Sequence, residues 1–266
     1  MMRTVAGAAG ASLHFSDLGE GTPVLALHGA YSTHLEISAA LEPILAPRTA
    51  YRRLYPDLTA MGDSPAHESI QTTNDLVDLV EHLVEQVVGD APLLVVGHSF
   101  GGHIARAIAA RRPQQVTGMA LICPLTPAVM YPEPHVVVRV EAESIDVVDP
   151  SLRDDYTGYF VVHSAATAER FNAAVVPSIG RFDAAAVGRI MEAWRVEPNP
   201  DNTPFGNPTL IVTGRLDSST GYRGAMGLID LYPRATFAVL ADAGHALPHE
   251  RPELLAALVT DWLAAV

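Results

Sequence analysis

The chain has 266 residues, 48% hydrophobic and 18% charged, enough to bury a large core in one domain or one domain carrying an insertion. Its 17 Lys and Arg against 30 Asp and Glu leave a formal charge of −13, which opposes phosphate backbones and anionic headgroups. Nucleic acid and membrane surfaces are therefore excluded as expected partners, in favour of a small molecule or a protein, with the chain a monomer or homodimer.

No apolar run reaches the roughly 18 residues of a membrane-spanning helix. Residues 1–10 lack the apolar stretch of about 7–15 residues that marks a secretory signal, so the expected location is the cytoplasm. The single cysteine, Cys123, excludes an internal disulfide and a Cys-cluster metal site. Its apolar run Ala120-Leu121-Ile122-Cys123 reads as a place for a buried, inert thiol.

Strand-like and helix-like segments alternate along the chain. Pro23-Val24-Leu25-Ala26-Leu27 is a short continuous apolar run, as expected of a strand covered on both faces of a parallel sheet. Residues 33–46 read as a helix and 50–55 as a strand. In 72–88, Leu76, Leu79, Val80, Leu83, Val84 and Val87 recur at helical spacing. Residues 92–96 read as another buried strand and 99–112 as a helix, ending in Arg111-Arg112-Pro113, where cations suit the helix dipole and the proline stops the helix. Later strands fall at 116–122, 208–212 and 235–240, and later helices at 221–231 and 252–265. This alternation predicts an α/β fold with a parallel sheet covered on both faces.

The alternation breaks between about residues 124 and 204. The stretch is helical in composition, with Pro124, Pro127, Pro132 and Pro134 at one end and Pro198, Pro200 and Pro204 at the other. A helical cap, residues 125–204, inserted into a core of 1–124 and 205–266 accounts for it. Val136-Val137-Val138 looks strand-like locally.

Gly97-His98-Ser99-Phe100-Gly101 directly follows a buried strand and opens a helix, the context that gives a G-x-S-x-G pattern meaning. A serine on so sharp a turn needs neighbours two positions away without side chains, and the helix start favours negative charge developing beside it. Ser99 is the expected nucleophile. It needs a base. His245 is chosen among 11 histidines because it follows the last predicted strand, at the sheet edge where Ser99 also falls. His98 is expected to point away from the nucleophile, His249 to cap or pack against the last helix, and His163 to lie in the cap. Asp217, after the strand at 208–212, is the expected acid that orients His245. Asp242 is a weaker contender, and Thr126 occupies the loop after Ile122 where an acid could otherwise stand. The oxyanion donors expected are the backbone N–H groups of Phe100 and Ala30, the latter in His28-Gly29-Ala30-Tyr31.

Together with Gly19-Glu20-Gly21-Thr22-Pro23, Asp57-Leu58-Thr59-Ala60-Met61-Gly62-Asp63-Ser64, Gly214-Arg215-Leu216-Asp217 and Gly244-His245-Ala246-Leu247-Pro248, these motifs resemble the α/β-hydrolase superfamily over nearly the whole chain. Ala60 stands where that family usually has glycine, and the Asp57 loop is expected to be structural. The resemblance implies the α/β-hydrolase fold, a mostly parallel central sheet flanked by helices with a helical cap inserted after the sixth strand, and places the chain near capped esterases, lactonases, carbon–carbon bond hydrolases and perhydrolase-like members. It implies a cofactor-free serine hydrolase with a Ser99–His245–Asp217 triad acting on a small, largely apolar carboxylic ester or lactone. Cleavage of a diketone-type substrate is the alternative, and a small-ligand receptor the non-enzymatic one. Expected pocket residues are His28, Gly29, Tyr31, Tyr159, Trp194 and Leu247. Tyr131, Tyr156, Phe160, Phe171, Phe182 and Met191 are further aromatic and thioether candidates from the cap.

Overall fold

The computed structural model describes residues 2–7, 10–126, 133–141 and 143–266. An antiparallel pair, β1 (Met2–Ala6) and β2 (Ser12–Leu18), opens the chain. Strands and helices then alternate: β3 (Thr22–Leu27), α1 (His34–Leu45), β4 (Tyr51–Pro56), α2 (Thr73–Val87), β5 (Leu93–His98), α3 (Phe100–Arg111) and β6 (Val116–Ile122). Next among the described residues come β7 (Arg139–Val140), α4 (Arg153–Tyr159), β8 (Val162–His163), α5 (Ala165–Arg170) and α6 (Ala184–Glu192). The chain closes with β9 (Thr209–Gly214), α7 (Tyr222–Met226), β10 (Ala235–Leu240), α8 (Leu247–Glu250) and α9 (Pro252–Ala265).

Among the described residues eight strands form one sheet in the order β1-β2-β4-β3-β5-β6-β9-β10, parallel from β4 onward. The apolar runs of β3, β5 and β9 are buried almost throughout because helices cover both faces. Side chains of α2 and α3 pack on one face, while α1 and α9 pack on the other. Helix starts follow local chemistry. Thr33 caps α1 through its hydroxyl, and Thr72 with Asp75 forms a capping box at α2.

The antiparallel strands β1 and β2 are additions to the sequence reading. Only Leu13 and Phe15 of β2 point inward, too brief an alternation to stand out.

The described residues of 125–204 divide between two apolar clusters. Tyr156, Phe160 and Phe171 join Val148, Ala168 and Val175 in an apolar cluster of their own. Ala186, Val187 and Ile190 of α6 instead belong to the main core. The strand-like Val136-Val137-Val138 run precedes a short parallel pair of β7 with β8, outside the main sheet.

Candidate active site

The strand β5 delivers Ser99 onto a turn that ordinary L-residues avoid, with φ 54 and ψ −119. Two neighbours make the turn possible. A Cβ on Gly97 would stand 2.3 Å from the Gly101 carbonyl oxygen, and one on Gly101 would stand 2.2 Å from that of Leu27. The surrounding backbone fixes the turn in place. Ser99 N–H donates to Ile122 O at 3.0 Å, and Ser99 O accepts from Gly102 and Leu125, each at 2.9 Å.

Asp217 lies past the end of β9 and is wholly buried. Its Oδ1 accepts from the N–H groups of Ser219 and Thr220, each at 2.9 Å, and Oδ2 stands 2.8 Å from the Thr220 hydroxyl. The His245 ring donates from Nδ1 to Oδ2 at 2.9 Å. Burial opposes ionisation of Asp217, but the His245 charge and these hydrogen bonds outweigh it and hold its carboxyl well below the usual range. Burial likewise disfavours the His245 imidazolium, yet Asp217 reverses the balance and raises its pKa above the ordinary 6.5.

Ser99 and His245 border one cavity of about 210 Å³, roofed by Tyr159, Phe171, Val175 and Ile179. The structure thus brings Ser99, His245 and Asp217 to a common corner at the carboxyl ends of β5, β9 and β10. Ala30 is on the cavity wall, beside Gly29 and Tyr31. The N–H of Phe100 is at the first position of α3, where no intrahelical acceptor exists.

Several expected pocket residues lie elsewhere. Leu247 is fully buried in the core with Val259 and Trp262, because α8 turns it inward beneath α9. Trp194 packs on His103 at 5.8 Å, and His103 donates from Nε2 to its carbonyl, so its ring belongs to the seam behind α3. His28 is a structural ring. Its Nε2 accepts from Leu58 N–H at 2.9 Å and its Nδ1 donates to Gly29 O at 2.7 Å, which sets it behind the loop rather than on the cavity wall. Gly29, Tyr31 and Tyr159 do line the cavity, as does Phe171.

The remaining candidates divide by packing. Tyr156 and Phe160 are core of their own cluster, Phe182 stacks edge-on against Tyr31, and Met191 packs on the main core. Tyr131 falls outside the described residues. Asp242 is exposed beside Arg251, and His163 donates to Phe160 O.

His98 is a correction. It lines the same cavity as Ser99, its ring centroid lies 4.8 Å from that of His245, and its Nε2 donates to the His245 carbonyl at 3.2 Å. The alternation of side chains holds only while backbone stays extended, and the Ser99 turn ends it. Burial, reinforced by the neighbouring His245 charge, pushes His98 down to about 4, which keeps this ring neutral near pH 7.

Sequence reasoning also missed two carboxylates. Glu250 accepts from Gly244 N–H through Oε2 at 2.6 Å, and from Val161 and Val162 N–H through Oε1 at 2.6 and 3.1 Å. It ties the His245 loop to the segment between α4 and β8. Glu36, in the first turn of α1, is buried on the cavity wall, although an acid there reads simply as a partner for the helix dipole. Cys123 is fully buried, and burial pushes its thiol well up, consistent with an inert side chain. The Asp57 loop carries its load through backbone contacts: Asp57 accepts from His34 and Asp63 N–H. Ala60 sits there at φ 67, the left-handed conformation its family position usually gives to glycine.

A family model for the alpha/beta hydrolase family matches residues 24–258. The chain is 28% identical to a pimeloyl-[acyl-carrier protein] methyl ester esterase of Shewanella woodyi, over 95% of this chain and 98% of that protein. It is 32% identical to lipase LipV of Mycobacterium tuberculosis, over 78% of this chain and 82% of the lipase. A solved alpha/beta superfamily hydrolase from Oenococcus oeni superposes with a TM-score of 0.89 at 22% identity, covering 99% of both chains.

Proposed function

Because the chain belongs to the alpha/beta hydrolase family, we propose that it is a serine hydrolase cleaving a small carboxylic ester or lactone through Ser99, His245 and Asp217. The observation that carries this reading is the 2.9 Å hydrogen bond from His245 Nδ1 to buried Asp217, on a cavity that Ser99 also borders.

In this mechanism Ser99 Oγ attacks the carbonyl carbon while His245 Nε2 takes its proton. The negative charge that forms on the carbonyl oxygen is held by the N–H groups of Phe100 and Ala30. His245 then gives the proton to the departing alkoxide, releasing the alcohol and leaving an acyl group on Ser99. Water, deprotonated by His245, attacks that acyl group, and the proton returns to Ser99 as the acid leaves. Asp217 keeps its charge throughout and stabilises the imidazolium. No step calls for a cofactor.

Residues 125–204 act as the cap in this reading, with residues 155–179 covering the cavity. The partner is a small molecule rather than nucleic acid or a membrane, and the setting is the cytoplasm. Among the described residues no helix is long and apolar enough to cross a membrane. Carbon–carbon cleavage would use the same three groups, so a vinylogous diketone belongs in the substrate panel.

A fluorophosphonate probe should label the chain at Ser99, and p-nitrophenyl acetate should be hydrolysed. Ser99→Ala should abolish labelling and lower kcat/KM by about 10⁴-fold or more. Full turnover by Ser99→Ala, or no labelling alongside a labelled control esterase, would sink the proposal.

A further inference from the structure

The cavity beside Ser99 holds two carboxylates, and the basic groups that share its wall are the imidazoles of His98 and His245. Glu36 lines it from α1 and Asp155 from α4. All 17 basic residues of the chain are Arg, and among the described residues no arginine reaches this wall. Glu36 is only 8% exposed. A carboxylate so deeply buried is kept ionised only by strong donors. Tyr159 Oη donates to Oε1 at 2.8 Å, Ser32 Oγ donates to Oε2, and His249 Nε2 lies 3.4 Å from Oε1. Burial pushes Glu36 up, but His249 through hydrogen bond and charge, the neighbouring His98 and the Ser32 hydroxyl outweigh it and hold the group down at about 2. Asp155 is exposed at the mouth.

The rest of the wall has the matching character. Tyr31, Tyr159 and Phe171 present three aromatic rings to the same space, and ring faces attract a cation held against them. Val175 and Ile179 add apolar surface, while Ser32 and His98 complete the wall beside Ser99 and His245. Two carboxylates and three rings around a small cavity form a receptor for an organic cation. They equally repel a carboxylate-bearing substrate, because a second negative charge would have to be desolvated beside Glu36.

We propose that the substrate carries a compact ammonium group, accepted between Glu36, Asp155 and the rings of Tyr31, Tyr159 and Phe171, while its ester carbonyl meets Ser99. This rests on the ester-hydrolase reading and adds the substrate class to it. Glu36 and Asp155 are specificity residues, and neither enters the proton transfers.

Isosteric esters test the claim on the full chain. Acetylcholine against 3,3-dimethylbutyl acetate varies charge in the alcohol. Methyl 4-(trimethylammonio)butanoate against methyl 5,5-dimethylhexanoate varies it in the acyl group, with monomethyl glutarate as the anionic member. In at least one pair the cationic ester should show kcat/KM about tenfold or more above its neutral twin, and the anionic ester should be the poorest. Glu36→Gln should collapse that ratio, and Asp155→Asn, at an exposed position outside the core, should reduce it severalfold. Each ratio is taken within one variant, so a loss of folded protein cancels.

Calorimetric binding of choline against 3,3-dimethylbutan-1-ol supplies a readout that needs no turnover. Tighter binding of choline, weakened in both variants, supports the cation site. Equal binding of the two, or a charge preference untouched by both substitutions, overturns it. Neutral esters cleaved without any preference for the cation would remove the ammonium and leave the esterase standing. Choline bound by a chain that cleaves no ester would do the reverse.

Discussion

Among the described residues two histidines make the same contact in different surroundings. His245 and His34 each place Nδ1 2.9 Å from an oxygen of a wholly buried aspartate, Asp217 and Asp57 respectively. Asp217 is held within its own turn by Ser219 and Thr220, and it meets His245 from a distant segment. Asp57 instead gathers separate pieces of chain, accepting the N–H of His34 at the start of α1 and of Asp63 across its loop. The His245 ring borders the cavity that Ser99 opens into, whereas His34 is not on that wall. A histidine–aspartate pair becomes chemical only through what the rest of the ring meets, and identical distances do not distinguish the two.

That difference is open to measurement. The largest separation is expected between Asp217→Asn and Asp57→Asn. The first should lower kcat by about 10³–10⁴-fold with near-normal thermal stability, because it loses the tautomer control and charge that His245 needs. Asp57→Asn should lower stability by about 1–3 kcal/mol, read as a fall in Tm, with kcat per folded molecule changed far less. A large activity loss at Asp57 with unaltered Tm would erase the contrast.

The pH dependence should follow. His245 must be neutral to accept a proton and its pKa is raised by Asp217, so kcat/KM should climb through a midpoint above 6.5. Asp217→Asn should move that midpoint down. For stability the sign is opposite: the raised His245 contributes below pH 6.5, and that contribution is lost as pH rises through its folded value. Asp217 and Asp57 are both held below 3.8, so their contributions are present above that value and lost as acid titrates them. Denaturation followed across pH in the two Asn variants checks both signs.

A smaller effect is expected at Glu250. Glu250→Gln keeps the shape but removes an acceptor from one of the N–H groups of Gly244, Val161 and Val162. An activity loss of about tenfold, carried in kcat, would mark it as a positioning residue for the His245 loop. A fall in Tm alone would make it structural, like Asp57. The exposed pair of Arg153 with Asp146 should be smallest, about 0–1 kcal/mol for Arg153→Ala, read from urea midpoints.

Much of the fold is legible because local physics and burial agree in it. Continuous apolar runs at β3, β5 and β9 signal strands covered on both faces, and Thr33, Thr72 and Pro113 mark helix ends. The Gly97–Gly101 elbow is legible for a related reason: a backbone so close to its neighbours leaves no room for a Cβ, and that requirement is written in residue type. The chain order of Ser99, Asp217 and His245 then follows from strand ends sharing one edge of a parallel sheet.

What only tertiary structure decided is which side chains meet across distant segments. Leu247 and Trp194 have the residue types of pocket walls, yet helix orientation turns one into the core and the other behind α3. Glu36 and Tyr159 are 123 residues apart and join in one hydrogen bond. No local pattern announces it, because the pairing exists only once the segment around α4 lies over α1. Periodicity and turn chemistry act between neighbours in sequence, so they determined the sheet and the elbow that carries Ser99. The polarity of the cavity arises between neighbours in space, and folding alone assembled it.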